Sequence, residues 1–128
     1  MNAINWFEIP TTDFDRAVTF YETVMAVSLH RQVFNEEPNA IFPYDQDSGC
    51  VGGSVVHSPY SQPGTSGPVV YLNAQSATNL EQILSRVESA GGKIVMPKTD
   101  IGPIGFAGMF LDCEGNRIGL HSPHAQAS

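Results

Sequence analysis

Basic residues are scarce in this chain. Six Lys and Arg stand against thirteen Asp and Glu, a formal charge of −7 with a pI near 4.8. No basic stripe exists to neutralise phosphates, which argues against a nucleic-acid partner and equally against an anionic membrane surface. Long apolar runs are missing as well, and none approaches the roughly 20 residues that span a bilayer. The N-terminus, MNAINWFEIP, shows no basic region followed by an apolar stretch, so no signal peptide is expected and a cytoplasmic location is. Cysteine is limited to Cys50 and Cys113, which form no CxxC motif and are expected as buried free thiols.

What the chain does contain is a repeat. Phe14, Ala17, Val18, Tyr21 and Val24 form a helical apolar pattern that recurs 66 positions later at Leu80, Ile83, Leu84, Val87 and Ala90. Self-similarity at a long period fixes architecture more firmly than any single motif. Neither half, at about 60 residues, buries much apolar surface alone, so each is expected to need the other or a second chain.

Strand signals flank each helix. In the first half they run from Ile4 to Ile9 (closed by Pro10), Val27 to Phe34, Ala40 to Tyr44 and Val51 to His57, with a polar turn at Asn35 to Pro38. Thr12 or Asp13 is placed to cap the first helix, which is expected to run to Ala26. In the second half the strands are Val69 to Ala74, Lys93 to Met96 (cut off by Pro97), Phe106 to Asp112 and Asn116 to His121. Thr78-x-x-Glu81 has the form of a capping box, and Gly91-Gly92 is a stop signal. The expectation is an α+β fold of two tandem βαβββ modules whose cupped sheets surround a shared cavity. The modules are residues 3–57 and 68–122, joined by a linker at 58–67 and followed by a frayed tail at 123–128.

Two stretches carry a family resemblance. Asp13-Phe14-Asp15-Arg16-Ala17-Val18-Thr19-Phe20-Tyr21 resembles the first-helix signature of the vicinal oxygen chelate superfamily, which includes glyoxalase I, extradiol dioxygenases, bleomycin-resistance proteins and fosfomycin-modifying enzymes. Asp112-Cys113-Glu114-Gly115-Asn116 is similar to that superfamily's final hairpin, with Cys113 in place of the usual proline. The run from Met96 to Ser122 looks like a glyoxalase-like branch. These motifs specify the fold and leave the reaction open, because one fold hosts many chemistries. The resemblance implies a small-molecule ligand and a homodimer.

It also implies where a metal would sit. Metal-dependent members take one ligand from the first and one from the last strand of each module. By register those positions fall at Trp6, Val69 and Gly119, with the fourth somewhere in Ser54 to His57. Trp6, Val69 and Gly119 have no ligating side chain, so the standard divalent-metal site is not expected. Two residues beyond those three positions stand Glu8, Tyr71 and His121, on the same sheet faces by strand alternation. Glu8 and His121, with His57, form a candidate ligand set for Ni, Zn, Mn or Fe. Without a metal, Glu8 and His121 are a candidate acid–base pair, with Tyr71 orienting the substrate. Trp6, Tyr71 and Phe106 are candidate substrate-contacting residues.

Two functions follow. The first is a glyoxalase-like lyase or isomerase, related to lactoylglutathione lyase, with a non-standard metal site or none. The second is a non-catalytic binder of the resistance type, holding its ligand in an aromatic-lined cleft. Lys98 to Gly105, with glycines on both sides of Pro103, reads as a shaped loop placed to close over a cleft.

Overall fold

The computed structural model of the chain describes residues 2–124, so the last four residues of the expected frayed tail lie outside the described ones. Backbone contacts divide the chain into two units, Met1–Pro63 and Gly64–Ser128. Each has the same element order. The first contains β1 (Trp6–Pro10), α1 (Phe14–Met25), β2 (His30–Phe34), β3 (Glu37–Ile41) and β4 (Gly52–Val56). The second contains β5 (Val70–Asn73), α2 (Ala77–Ser85), β6 (Lys93–Asp100), β7 (Phe106–Leu111) and β8 (Arg117–Ser122). The sheets are ordered β1-β4-β3-β2 and β5-β8-β7-β6. In both, the first and last strands pair in parallel and the other neighbours are antiparallel. The helical repeat is thus matched by a repeated topology, the expected α+β fold of two βαβββ modules.

In the first unit, α1 starts because the Asp13 carboxylate accepts the Arg16 N–H, and stops where Ala26 turns left-handed at φ 56°. Its buried face, Ala17, Val18, Phe20, Tyr21 and Val24, packs on one side of the sheet. The Tyr21 ring meets Phe42 edge-on at 5.6 Å, and Phe7 lies 5.7 Å from Phe42. Gly53 makes that packing possible, since a Cβ there would fall 2.2 Å from the Phe7 ring. The opposite side of the sheet carries Trp6, Glu8, Ser54, Asn39, Ile41, His30 and Gln32, as the register of Cα partners requires.

Four local expectations change. The first hairpin turn is only Asn35-Glu36, both left-handed at φ 49° and 67°, so Glu37 and Pro38 belong to β3. β2 begins at His30 because the chain leaving α1 is still held by the helix, with the Leu29 N–H on the Glu22 carboxylate at 2.9 Å. Pro97 does not end β6, which runs on to Asp100. That strand is an edge with register shifts on both sides of Met96, the setting in which a missing N–H is tolerated. Ser76, not Thr78, caps α2, its Oγ accepting the Asn79 N–H at 3.1 Å. Gln75 at φ 72° turns the chain into the helix two residues earlier than the capping-box pattern suggested.

The final hairpin shows what its signature residues do. The Asp112 carboxylate is 5 % exposed and accepts the N–H groups of Glu114 and Asn116, at 2.9 and 3.0 Å, and the Asn116 side-chain amide at 3.0 Å. Asn116 in turn accepts the Gly64 N–H at 3.0 Å. Gly115 supplies the left-handed turn at φ 86°. These residues build the turn. Cys113 beside them is partly buried, whereas Cys50 is exposed, its Sγ 3.0 Å from Ser48 Oγ, so the expectation of two buried thiols fails for Cys50.

Candidate functional site

The side of the first sheet opposite α1 carries a groove of about 410 Å³, within the range of small-molecule sites. Trp6, Tyr44, Phe34, Ile41, His30 and Gln32 form its walls. Trp6 and Tyr44 meet edge to face, ring centres 5.7 Å apart and planes at 76°, so the two rings make a corner. Phe34, on the edge strand β2, is 50 % exposed. His30 Nε2 and Gln32 Nε2 lie 3.1 Å apart, a polar pair at the same edge. Beneath them Ser54 Oγ, fully buried, donates to Asn39 Oδ1 at 3.0 Å, so the polar groups of the sheet floor are satisfied internally.

A glycine seats the corner. Gly52 is the Cα partner of Trp6, and a Cβ on it would come within 2.8 Å of the Tyr44 ring. Gly52→Ala is expected to push Tyr44 out of its perpendicular contact. It should weaken ligand binding in the groove about tenfold, at a stability cost near 1 kcal/mol because Tyr44 is partly exposed and can swing outward. Calorimetric titration alongside urea unfolding would check both.

In the second unit, Tyr71 lies flat where a side chain at position 119 would point, since a Cβ on Gly119 would fall 2.4 Å from its ring. His121 stands two residues further along the same face, as the Cα partner of Asn73. Its Nε2 donates to the Ile104 carbonyl at 2.6 Å. A carbonyl only accepts, so Nε2 is the donor in this contact and Nδ1 is the ring nitrogen left facing away from it. The 101–105 loop is a self-closed turn. Ile101 N–H reaches the Gly105 carbonyl at 2.9 Å, Gly105 N–H reaches that of Gly102 at 3.1 Å, and His124 holds the Gly102 carbonyl from outside.

Two candidate residues lie elsewhere. Phe106 pairs with Ser122 while His121 pairs with Ala107, so Phe106 projects from the other face of its sheet. Its ring contacts Lys98 Nζ at 5.2 Å and the His124 ring at 4.8 Å, not the face of Tyr71 and His121. His57 falls one residue past the end of β4, on the opposite alternation from Glu8 and Ser54. Its Nδ1 donates to the Thr11 carbonyl at 3.1 Å.

The metal positions can now be completed. Tyr71 faces Gly119 as Glu8 faces Ser54, so the fourth position is Ser54. The four residues are Trp6, Ser54, Val69 and Gly119, and the one hydroxyl among them is buried against Asn39. This donor set does not fit a divalent ion. The displaced set of Glu8, His57 and His121 fares no better. His57 leaves the face of Glu8, and among the described residues no three His, Cys, Asp or Glu side chains gather to hold one metal ion. The groove residues Tyr44, His30, Gln32 and Phe34 were not candidates from sequence. For His30, Gln32 and Phe34 the signal was the alternation His30-x-Gln32-x-Phe34, which puts all three on one face of β2, whereas Tyr44 lies outside the strands.

No described helix is long and apolar enough to cross a membrane. The family model of the Glyoxalase/Bleomycin resistance protein/Dioxygenase superfamily matches residues 3–120. No curated protein matches the chain. Among solved structures, a glyoxalase/bleomycin resistance protein from Albidiferax ferrireducens T118 is similar at a TM-score of 0.73 and 12% identity, over 94% of this chain and 98% of that one. The fosfomycin resistance protein FosX from Listeria monocytogenes is similar at 0.64 and 11%, over 100% and 96%. A glyoxalase I mutant from Zea mays matches at 0.64 and 15%, over 91% of this chain but 45% of its own. At these identities the structures share a fold. The family match and the fold agree over nearly the whole length, and the chain belongs to the glyoxalase/bleomycin resistance protein/dioxygenase superfamily.

Proposed function

We propose that this chain is a small-molecule binding protein that holds its ligand in the groove of the first unit. The observation that carries the proposal is the corner of Trp6 and Tyr44, with Phe34 and Ile41 beside it. Apolar, concave walls with a few polar groups at one edge are the usual make-up of a ligand site. The unsuitable residues at the four standard metal positions support binding without metal-assisted chemistry.

Trp6 is the sole tryptophan, so its emission reports on the groove alone. A panel of small aromatic compounds, cationic, neutral and anionic, is expected to include members that change this emission saturably. If no member does so at millimolar concentration, the groove is not a binding site.

A second reading, the lyase or isomerase, rests on His121. With Nε2 donating to the Ile104 carbonyl, Nδ1 is the nitrogen available as a base on the same face as Tyr71, a pairing suited to removing a proton from carbon next to a carbonyl while Tyr71 donates to the carbonyl oxygen. On this reading, hydroxyketones incubated with the protein in D₂O exchange their acidic C–H, and His121→Ala lowers the rate about a hundredfold. Exchange that stays at the buffer rate with the wild-type protein would leave binding as the sole function.

A further inference from the structure

The groove lies in the acidic half of the molecule, and the charge around it selects among ligands. This step rests on the groove being the binding site. Residues 1–63 contain two arginines and no lysine against eight acids, so −6 of the chain's −7 falls in the first unit. Both arginines are engaged on the helix side of the sheet. Arg31 alternates away from His30 and Gln32, placing Nη1 2.6 Å from Asp15 and its guanidinium 5.4 Å over the Phe14 ring. Arg16 pairs with Asp13 along α1.

The groove side of the first sheet therefore carries no Lys or Arg of the first unit, but it carries two carboxylates. Glu8 follows Trp6 by two residues on β1, on the same face. Glu37 is the Cα partner of Phe34 across the first hairpin, and so shares its face. Neither carboxylate has an ion-pair partner among the described residues. On the same face stand the two perpendicular rings of Trp6 and Tyr44, with Phe34 half exposed beside Glu37.

Aromatic faces attract a cation placed within about 6 Å of the ring centre, tryptophan most strongly. Two rings at a right angle present two such faces to one point, and nearby carboxylates add a field of the same preference. A neutral aromatic ligand would gain only stacking and burial. An anionic one would meet Glu8 and Glu37 with no Lys or Arg of the first unit on that face to offset them. We infer that the ligand is an organic cation, with an ammonium or other positively charged nitrogen against Trp6 and Tyr44 and its apolar remainder along Ile41 and Phe34.

The test uses three compounds of one shape and different charge: 4-hydroxyphenyltrimethylammonium, 4-tert-butylphenol and 4-hydroxybenzenesulfonate. Each is titrated calorimetrically into the full chain, with Trp6 emission followed in parallel. The cation should bind about tenfold more tightly than its neutral isostere, and the anion most weakly. The double variant Glu8→Gln, Glu37→Gln should reduce that advantage to about threefold, as should about 0.5 M salt. Circular dichroism of the variant verifies that the fold is kept. Equal or tighter binding of the neutral compound overturns the charge inference while leaving the groove reading intact. An advantage that survives the double variant in full overturns the role of the two carboxylates. Absence of binding by all three compounds, together with a silent aromatic panel, overturns groove and charge together.

Discussion

Trp6→Leu is expected to weaken ligand binding about thirtyfold, or roughly 2 kcal/mol, the loss typical of an aromatic anchor in a concave site. The leucine keeps an apolar, strand-compatible side chain on β1, so the sheet should persist. What it removes is the flat face that Tyr44 meets at 76°. Because the substitution also removes the only tryptophan, affinity has to be read by calorimetry. Trp6→Phe, which retains a ring, should recover most of the lost affinity. Unchanged binding by Trp6→Leu would place the ligand elsewhere.

The largest effect on stability is expected at Asp112. Its buried carboxylate satisfies two backbone N–H groups and one side-chain amide within a single turn. Hydrogen bonds to a charged acceptor contribute about 1.5–3 kcal/mol each, and donors left unsatisfied in a buried turn add to the loss. Asp112→Ala should lower the unfolding free energy by about 3 kcal/mol, seen as an earlier urea midpoint, and Asp112→Asn by roughly half that. A loss below about 1 kcal/mol for the alanine variant would mean that the turn holds itself without the carboxylate. The prediction also separates two roles for the family's hairpin signature, since a structural turn shifts stability first and affinity only through it.

These two positions show what the sequence made legible. The Asp112-to-Asn116 pattern pointed to the right hairpin, because a local turn is fixed by residues that are neighbours in the chain. The helix repeat was readable for the same reason in its first turns, since α1 buries its apolar stripe and α2 buries Leu80, Ile83 and Leu84. But α2 ends at Ser85, so Val87 and Ala90 follow the helix and Gly91-Gly92 is not its stop. Strand limits were harder to read. Glu36 adopts a left-handed conformation that glutamate seldom takes, and Pro97 continues in an edge strand whose bulges excuse its missing N–H. Propensity alone favours a longer turn at the first and a strand end at the second.

The site was partly legible. Alternation from Trp6, Val69 and Gly119 placed Glu8, Tyr71 and His121 on the sheet faces where they are found, while one step of alternation turns Phe106 and His57 to the other face. The groove itself was hidden because it depends on cross-strand neighbours. Phe34 reaches Glu37 through a two-residue turn, and Tyr44 settles over Gly52 from a segment that is not a strand. Such pairings depend on register, which a single sequence specifies only weakly for an exposed edge strand.

The central claim is that ligand enters the first unit's groove. The Trp6 indole N–H gives one side-chain signal in a ¹⁵N–¹H spectrum, and the backbone amides of both units can be followed beside it. During titration with 4-hydroxyphenyltrimethylammonium, the Trp6 indole and the amides of His30, Gln32 and Tyr44 should shift together along one saturating curve. A stationary indole signal, with saturable shifts centred instead on Tyr71 and His121, would contradict the claim and move the site to the second unit.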